Sequence, residues 1–580
     1  MAIFTPSESP AVIVKEIDLT GGVPNVQSTT GAFVGNFRWG PVRKATLIDT
    51  EASLAATFTT PNTTNAVDFL SAAYFLRYTN SLYVVREITG VAYNAVTKSA
   101  SPPAVLIRND EHFTELSGTF SSAGTNVGAF IARYPGALGN SLKVSICPAK
   151  ADDGFFTAWT AAYKSSFDGP PGTSAYASAR GGLRDEVHVV VVDEDGEFTG
   201  VPGQVLERFA YVSLGSDAKT PDGSSNYVKD VINSLSKYVW LAQFDFDLQT
   251  LTNAGTTVVN KTFSASATVP IDLSFTAGVD SAALGTAQYA TGFDLFEDVD
   301  TITVDFLIAP SMSVQGDQTT VVNDLILIAG TTRKDCVVVA SPNRAAVVNN
   351  ATPVTASVTT AYTFTFSSYL VLDNNFLKVY DKYNDQYIFI PAASSTAGIM
   401  AATDFNNAPW YSPAGQRRGA YLGITALSYS PTKAERDTLY KAGINPIANI
   451  PGSGVLLFGD KTHMNRPSAF DRINVRRLFL VLERAIAIAA RNVMFEFNDE
   501  FTRAEFVNIV EPFLREVQGR RGITDFRVVC DETNNLPAVI DRNEFIASIF
   551  IKPARSINYI TLNFVAVRTG VEFEEVVGTV

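Results

Sequence analysis

Residues 454–462 read GVLLFGDKT, and two incompatible folds compete for them. Gly454, Gly459, Lys461 and Thr462 come within one residue of the phosphate-binding loop G-x-x-x-x-G-K-S/T, which would make the chain a nucleotide-driven protein. The intruder is Asp460, which displaces the lysine and sets a carboxylate where phosphate oxygens would lie. The run Val455, Leu456, Leu457 and Phe458 is the stronger objection. A phosphate cradle needs small and polar residues whose N–H groups curve around the anion, whereas a glycine-flanked apolar run is a buried strand. The stretch reads as a core strand ending in a polar turn.

The segments around it are the most regular in the chain. Ser430-Pro431-Thr432 opens a helix, with Thr432 and Glu435 at capping-box spacing and Gly443 as its stop. Strands over about 446–450 and 454–459 precede a helix from about 471 to 492, whose Leu478, Leu482, Ile486 and Ala489 share one buried face. Thr502 and Glu505 make a second capping box for a helix near 502–518, disturbed at Pro512. Strands near 524–530, 545–551 and 557–568 complete a compact α/β module.

Upstream, helices and short strands alternate. A strand-like arm at 11–19 precedes TGAFVGNFRWGPVRKATLI, read as two strands about a Gly-Pro turn. Helices follow at 50–58 and 64–78, then the strands SLYVVREI, SLKVSI and EVHVVVV, with Asp195-Gly196 as a hairpin turn. DLILIAG, CVVVA and KYNDQYIFI form a second set of strands. Residues 241–292, rich in Thr, Ala and Ser, read as an inserted, exposed β-region or long loops. The fold class is multidomain, mixed α/β. Its expected parts are an N-terminal arm (1–20), an outer β-rich domain (21–100), a middle domain (101–420), a C-terminal core domain (421–568) and a C-terminal arm (569–580).

Composition narrows the function. A chain of 580 residues has room for roughly three to four domains, and 46% apolar with 18% charged residues describes a folded protein. MAIFTPSESP has neither the basic start nor the apolar core of a secretion signal, and no apolar run reaches membrane-spanning length. The net charge of −13 is uneven: residues 411–580 carry 21 basic and 19 acidic side chains, leaving 24 and 39 to the rest. That balance opposes general nucleic-acid binding but leaves a mildly basic C-terminal part for protein partners. Cys147, Cys336 and Cys530 lack C-x-x-C spacing, and His112, His188 and His463 are scattered, so neither metal nor cofactor is expected. There is no G-x-S-x-G, and the DEDG at 193–196 lacks the later ligands of a calcium loop. No enzyme site emerges.

Two features point to assembly instead. Arg477, Arg484 and Arg491 are seven apart along the long helix, with Arg472 and Arg476 beside them and a second group at Arg515, Arg520 and Arg521. Such groups serve either as a solvated helix face or as a dock for an acidic protein surface. The termini also alternate like strands: Val12, Ile13, Val14 and Ile17 at one end, Ile560, Leu562 and Phe564 at the other, followed by Val571 and Phe573 in VEFEEVV. A lone strand needs a ladder partner, in its own sheet or in a neighbour's.

DEVHVVVVDEDGEFTGVPGQVLERFAYVSLGSDAK, ARYPGALGNSLKVSI and LSYSPTKAERDTLYKAGINPIANIPGSGVLLFGDKT…INVRRLFLVLERAI resemble the tail sheath proteins of contractile-tailed bacteriophages. The combination of GIN, a glycine-flanked strand and NVRRLF is the most specific part. The resemblance implies subunits stacked as sixfold rings around a tail tube, bounded by baseplate and tail terminator proteins. It implies a metastable sheath that shortens on a baseplate signal and drives the tube through the host envelope. It implies a middle domain likened to subtilisin-type hydrolases but without a triad, a C-terminal domain against the tube, and arms that exchange strands. On this chain the arms become residues 11–19 and about 557–577, and the arginine groups become candidates for the tube-facing surface. The protein would then be a virion component assembled in the host cytoplasm. A phage-tail-like bacteriocin sheath is the nearest alternative, and a nucleotide-binding protein the more distant one.

Overall fold

The computed structural model describes residues 28–98, 105–117, 120, 127–244, 248, 250–265 and 271–557. The strands expected at 11–19 and beyond 557 lie outside them. The described residues form two compact units, one within 28–409 and 413–476, the other of Trp410–Ser412 with residues 477–557.

The first unit is organised by a seven-stranded sheet. Six strands run parallel in the order Ile444–Asn445, Leu370–Asp373, Val337–Ala340, Phe306–Ile308, Gly31–Gly35 and Leu82–Arg86, and Thr46–Ile48 closes the far edge antiparallel. The central strands are buried along their whole length, as the runs VVVA and LVLD require when helices cover both faces. On one face Ala32, Val34, Leu307, Val338 and Leu370 meet Phe293, Val322 and Leu325 from the helices Thr286–Asp294 and Gln315–Leu327. On the other the helix Ala393–Asn406 crosses the middle strands and packs on the helix Ala66–Phe75. Gly398 permits that approach, because a Cβ there would lie 2.4 Å from Cδ2 of Tyr78.

The chain leaves this sheet after Arg86 and returns to it at Phe306. Between them an antiparallel sheet forms in the order Ile271–Ser274, Leu142–Pro148, Glu186–Asp193, Gln204–Ser213. It has its own core, including Val144, Val189, Val191, Phe209 and Phe263.

The architecture departs from several expectations. Gly31–Gly35 and Thr46–Ile48 are not a hairpin, since both pair with Leu82–Arg86, which lies between them. Residues 21–100 are no separate domain, since their strands sit in one sheet with strands from 306–445. DLILIAG is helical: Val321, Val322, Leu325 and Ile326 are the buried face of Gln315–Leu327, continued by a π-turn at Ile328–Arg333. Residues 241–292 expose many side chains but also anchor Leu248, Leu251, Val258, Phe263 and Phe275 in the core of the antiparallel part.

In the second unit the helix Glu500–Gly519 buries Phe506, Val510, Leu514 and Val517 and packs on the strand Ile523–Val529. That strand pairs antiparallel with Ser548–Pro553, Phe526 opposite Ile551 and Val528 opposite Ile549. The helix starts earlier than its second capping box implies: Asp499 is the N-cap and accepts from the Thr502 N–H at 2.8 Å. Pro512 stands inside it without ending it.

Candidate assembly surface

The opening stretch is a structural knot. Gly454–Leu457 pairs antiparallel with Ile447–Ile450, and both belong to the first unit rather than to the sheet of the C-terminal unit. The Lys461 ammonium donates to the Tyr440 carbonyl at 2.9 Å, and the Lys461 N–H donates to Asn445 Oδ1 at 2.7 Å. Asp460 accepts from Arg472 at 2.8 Å and from the Tyr440 hydroxyl at 3.0 Å, and the Thr462 hydroxyl donates to the Phe470 carbonyl at 2.7 Å. Burial, with the Arg472 charge acting in the same direction, lowers the Lys461 pKa. Each polar side chain of the motif is therefore committed within the protein.

The remaining chemical candidates are similarly occupied. The Asp193 carboxylate is buried and accepts from Ser141, Gly196, Phe198 and Thr199, so it organises the loop to Gln204 and faces donors where a cation would need lone pairs. His463 Nε2 lies 3.0 Å from the Ala361 carbonyl, with the Phe366 ring stacked on the imidazole. His188 stacks on Phe167 and meets the Gly169 carbonyl at 2.9 Å. Burial lowers the pKa of both histidines. The three cysteines are buried free thiols.

The arginine groups do not form one surface. Arg472 is held by Asp460. Arg476 is 7% exposed, donates to Ser368 Oγ at 2.6 Å and lies over the Tyr369 and Phe470 rings. Arg477 is 2% exposed. Arg476 and Arg477 are thus buried in the first turn of the helix Ile473–Ala490, whereas Arg472, just before it, is partly exposed. Arg484 is half-buried, whereas Arg491, Arg515, Arg520 and Arg521 are exposed. Arg515 pairs with Glu511 at 3.2 Å and Arg520 with Glu516 at 3.6 Å, the latter also lying over Trp410. The arm residues Val12, Ile13, Val14, Ile17, Ile560, Leu562, Phe564, Val571 and Phe573 fall outside the described residues.

One surface was not anticipated. Between the two long helices Phe495 is fully exposed and Phe497 84%, with Met494 beside them, and Phe501 in the first turn of the second helix is 77% exposed. The loop is nonetheless held in place: Asn498 donates to the Glu544 carbonyl at 2.8 Å, Arg503 donates to Asn498 Oδ1 at 2.9 Å, and Asp499 caps the next helix. Exposed aromatic side chains on an anchored loop and the helix turn after it mark a contact surface. The run VMFEFNDEF, with its aromatics spaced by acids, carried that signal in the sequence.

The chain is 31% identical to the tail sheath protein of Vibrio phage KVP40, over 98% of this chain and 99% of that one. It is also 31% identical to the tail sheath protein of Enterobacteria phage T4, with the same coverage. The chain belongs to the tail sheath protein family. Residues 282–463 match the phage tail sheath protein central domain and residues 465–566 the phage tail sheath C-terminal domain. The expected boundary at 421 thus falls inside the central-domain match. Among solved structures, a sheath tail protein of Listeria innocua superposes with a TM-score of 0.55 at 12% identity, over 93% of this chain and 94% of that one. One from Desulfitobacterium hafniense gives 0.52 at 13%, over 94% and 100%. These two share the sheath-protein fold.

Proposed function

We propose that this protein is the structural subunit of a contractile tail sheath, stacking as sixfold rings around a tail tube and shortening to drive that tube through a host envelope. Its nearly full-length similarity to phage tail sheath proteins carries the reading. Baseplate and terminator proteins bound the polymer, which is assembled in the host cytoplasm and becomes part of the virion. The work resides in subunit contacts rather than in a reaction. A heterologous interface that does not close on itself builds a helical polymer, and two packings of different free energy make the stroke one-way. The occupied state of Lys461, His188 and His463 supports a role without catalysis.

The terminal arms complete sheets of neighbouring subunits. In support, the pair Ile523–Val529 and Ser548–Pro553 has no third strand among the described residues, so its outer edges are open to strand addition. Arg491, Arg515, Arg520 and Arg521 are the exposed remainder of the arginine groups and the candidates for an acidic tube surface. Negative-stain microscopy of the purified chain tests the reading. Rings or hollow striated tubes are expected, and a chain that stays monomeric at high concentration contradicts it.

A further inference from the structure

The second unit has two unlike poles. The helix Glu500–Gly519 has 20 residues and is therefore about 30 Å long. At its start lie the exposed Met494, Phe495, Phe497 and Phe501, interleaved with exposed Glu496, Glu500 and Glu505. These three glutamates make no ion pair among the described residues. At its end lies exposed Arg521. Ile523 pairs with Pro553 and the Ala554 N–H donates to the Gly522 carbonyl at 3.1 Å, which brings exposed Lys552 and Arg555 to the same pole. Arg521, Lys552 and Arg555 likewise make no ion pair among the described residues. Exposed Ile557 follows them.

A helix by itself favours acids in its first turn and bases in its last. That accounts for Glu500, but not for Glu496 in the preceding loop, for Lys552 and Arg555 on another segment, or for the bare aromatics. An aromatic pole joined to its own copy by a two-fold axis would set its glutamates against each other, because a two-fold contact uses the same patch twice. An aromatic, acidic pole seated on a basic pole has no such conflict.

We propose that the aromatic pole of one subunit docks on the basic pole of the next copy of this chain, head to tail. Phe495 and Phe497 supply the apolar area, while Glu496, Glu500 and Glu505 face Arg521, Lys552 and Arg555. The proposal rests on the sheath reading and deepens it by naming one of the contacts that propagate the polymer. It assigns Arg521 to a neighbouring subunit rather than to the tube. Repetition of such a contact gives an open helical chain or a large ring, not a closed pair.

Charge exchange in the full-length chain tests it. Three variants are compared with the unmodified protein by sedimentation and microscopy, without tube present. One carries Glu496→Arg, Glu500→Arg and Glu505→Arg; one carries Arg521→Glu, Lys552→Glu and Arg555→Glu; the third carries all six. Each triple reversal is expected to lower the polymerised fraction at least tenfold, on the order of a few disrupted charge contacts. The variant carrying all six changes, and an equimolar mixture of the two triple variants, are expected to recover polymer. Should a triple variant lose its native circular dichroism, the pair Glu496→Arg and Arg521→Glu carries the same comparison. Unaltered polymerisation of both triple variants, or no recovery on combining them, overturns the pole contact while leaving the sheath reading intact. Failure of the unmodified chain to polymerise overturns both.

Discussion

The Arg86 guanidinium donates to the Pro135 carbonyl at 2.6 Å, joining the last strand before the insertion to the antiparallel part that follows. The same group reaches the carbonyls of Phe37, Gly40 and Arg38, so a fully buried cation is solvated by four backbone oxygens rather than by a carboxylate. Burial pulls its pKa down to about 9, with the Asp280 carboxylate opposing the change.

Arg86→Met should therefore cost about 3 kcal/mol, since it strands several buried acceptors that no solvent can reach. Arg86→Lys should recover only part of this, because an ammonium cannot span the fork of carbonyls. Thermal unfolding measures both. A melting temperature within a degree of the unmodified protein would show that the junction is held by other contacts.

A second prediction concerns acidity. Burial raises the Asp373 carboxyl to about 7, despite hydrogen bonds from Ser341 and Thr396, and raises Asp68 to about 6. Folded-state values above the unfolded carboxylate range mean that the native state binds more protons between about pH 4 and pH 7. Stability from these groups is present below that window and is lost as pH rises through it. Asp373→Asn should flatten this dependence and gain on the unmodified protein at pH 8, by about 1.4 kcal/mol for every tenfold difference in proton affinity that it abolishes. Parallel melting curves for the two proteins from pH 4.5 to 8 would contradict the assignment.

The GDKT turn gives a third. Asp460→Ala removes the acceptor shared by Arg472 and Tyr440 and should destabilise by about 2–4 kcal/mol. Lys461→Ala, which loses one hydrogen bond to Tyr440, should cost about 1 kcal/mol. Equilibrium dialysis with labelled ATP should detect no binding to either variant or to the unmodified chain. Saturable binding lost on Lys461→Ala would restore the nucleotide reading.

Deleting residues 1–19 or 569–580 should leave a folded subunit that does not polymerise. Normal tubes from both truncations would sink the strand-exchange proposal. Charge reversal at Arg491 and Arg515 should weaken assembly on the tube more than assembly without it, and more at low salt than at high, since exposed charges are screened. Equal loss in both settings would move those residues to subunit contacts.

What was legible in the sequence was local. Thr432 and Glu435 form the capping box that their spacing announces, and the hairpin 447–457 lies where its glycines place it. Non-local order was not legible. Nothing near Gly31 or Phe306 says that they pair across an insertion, and Thr46–Ile48 lies beyond the strand it joins. The helix Ala393–Asn406 escaped because it is buried almost all round, so no polar face alternates with an apolar one. The arginine stripe misled for a related reason: a seven-residue repeat fixes a helix face but not whether that face meets solvent. Arg477 is buried where Arg491 is exposed. The aromatic pole was readable in VMFEFNDEF, but only structure shows that Phe495 has nothing of its own fold to cover it.

The most direct measurement is a cryo-electron microscopy reconstruction of the polymer formed by the purified full-length chain. A hollow sixfold helical tube is expected. A closed particle or a solid filament would contradict it.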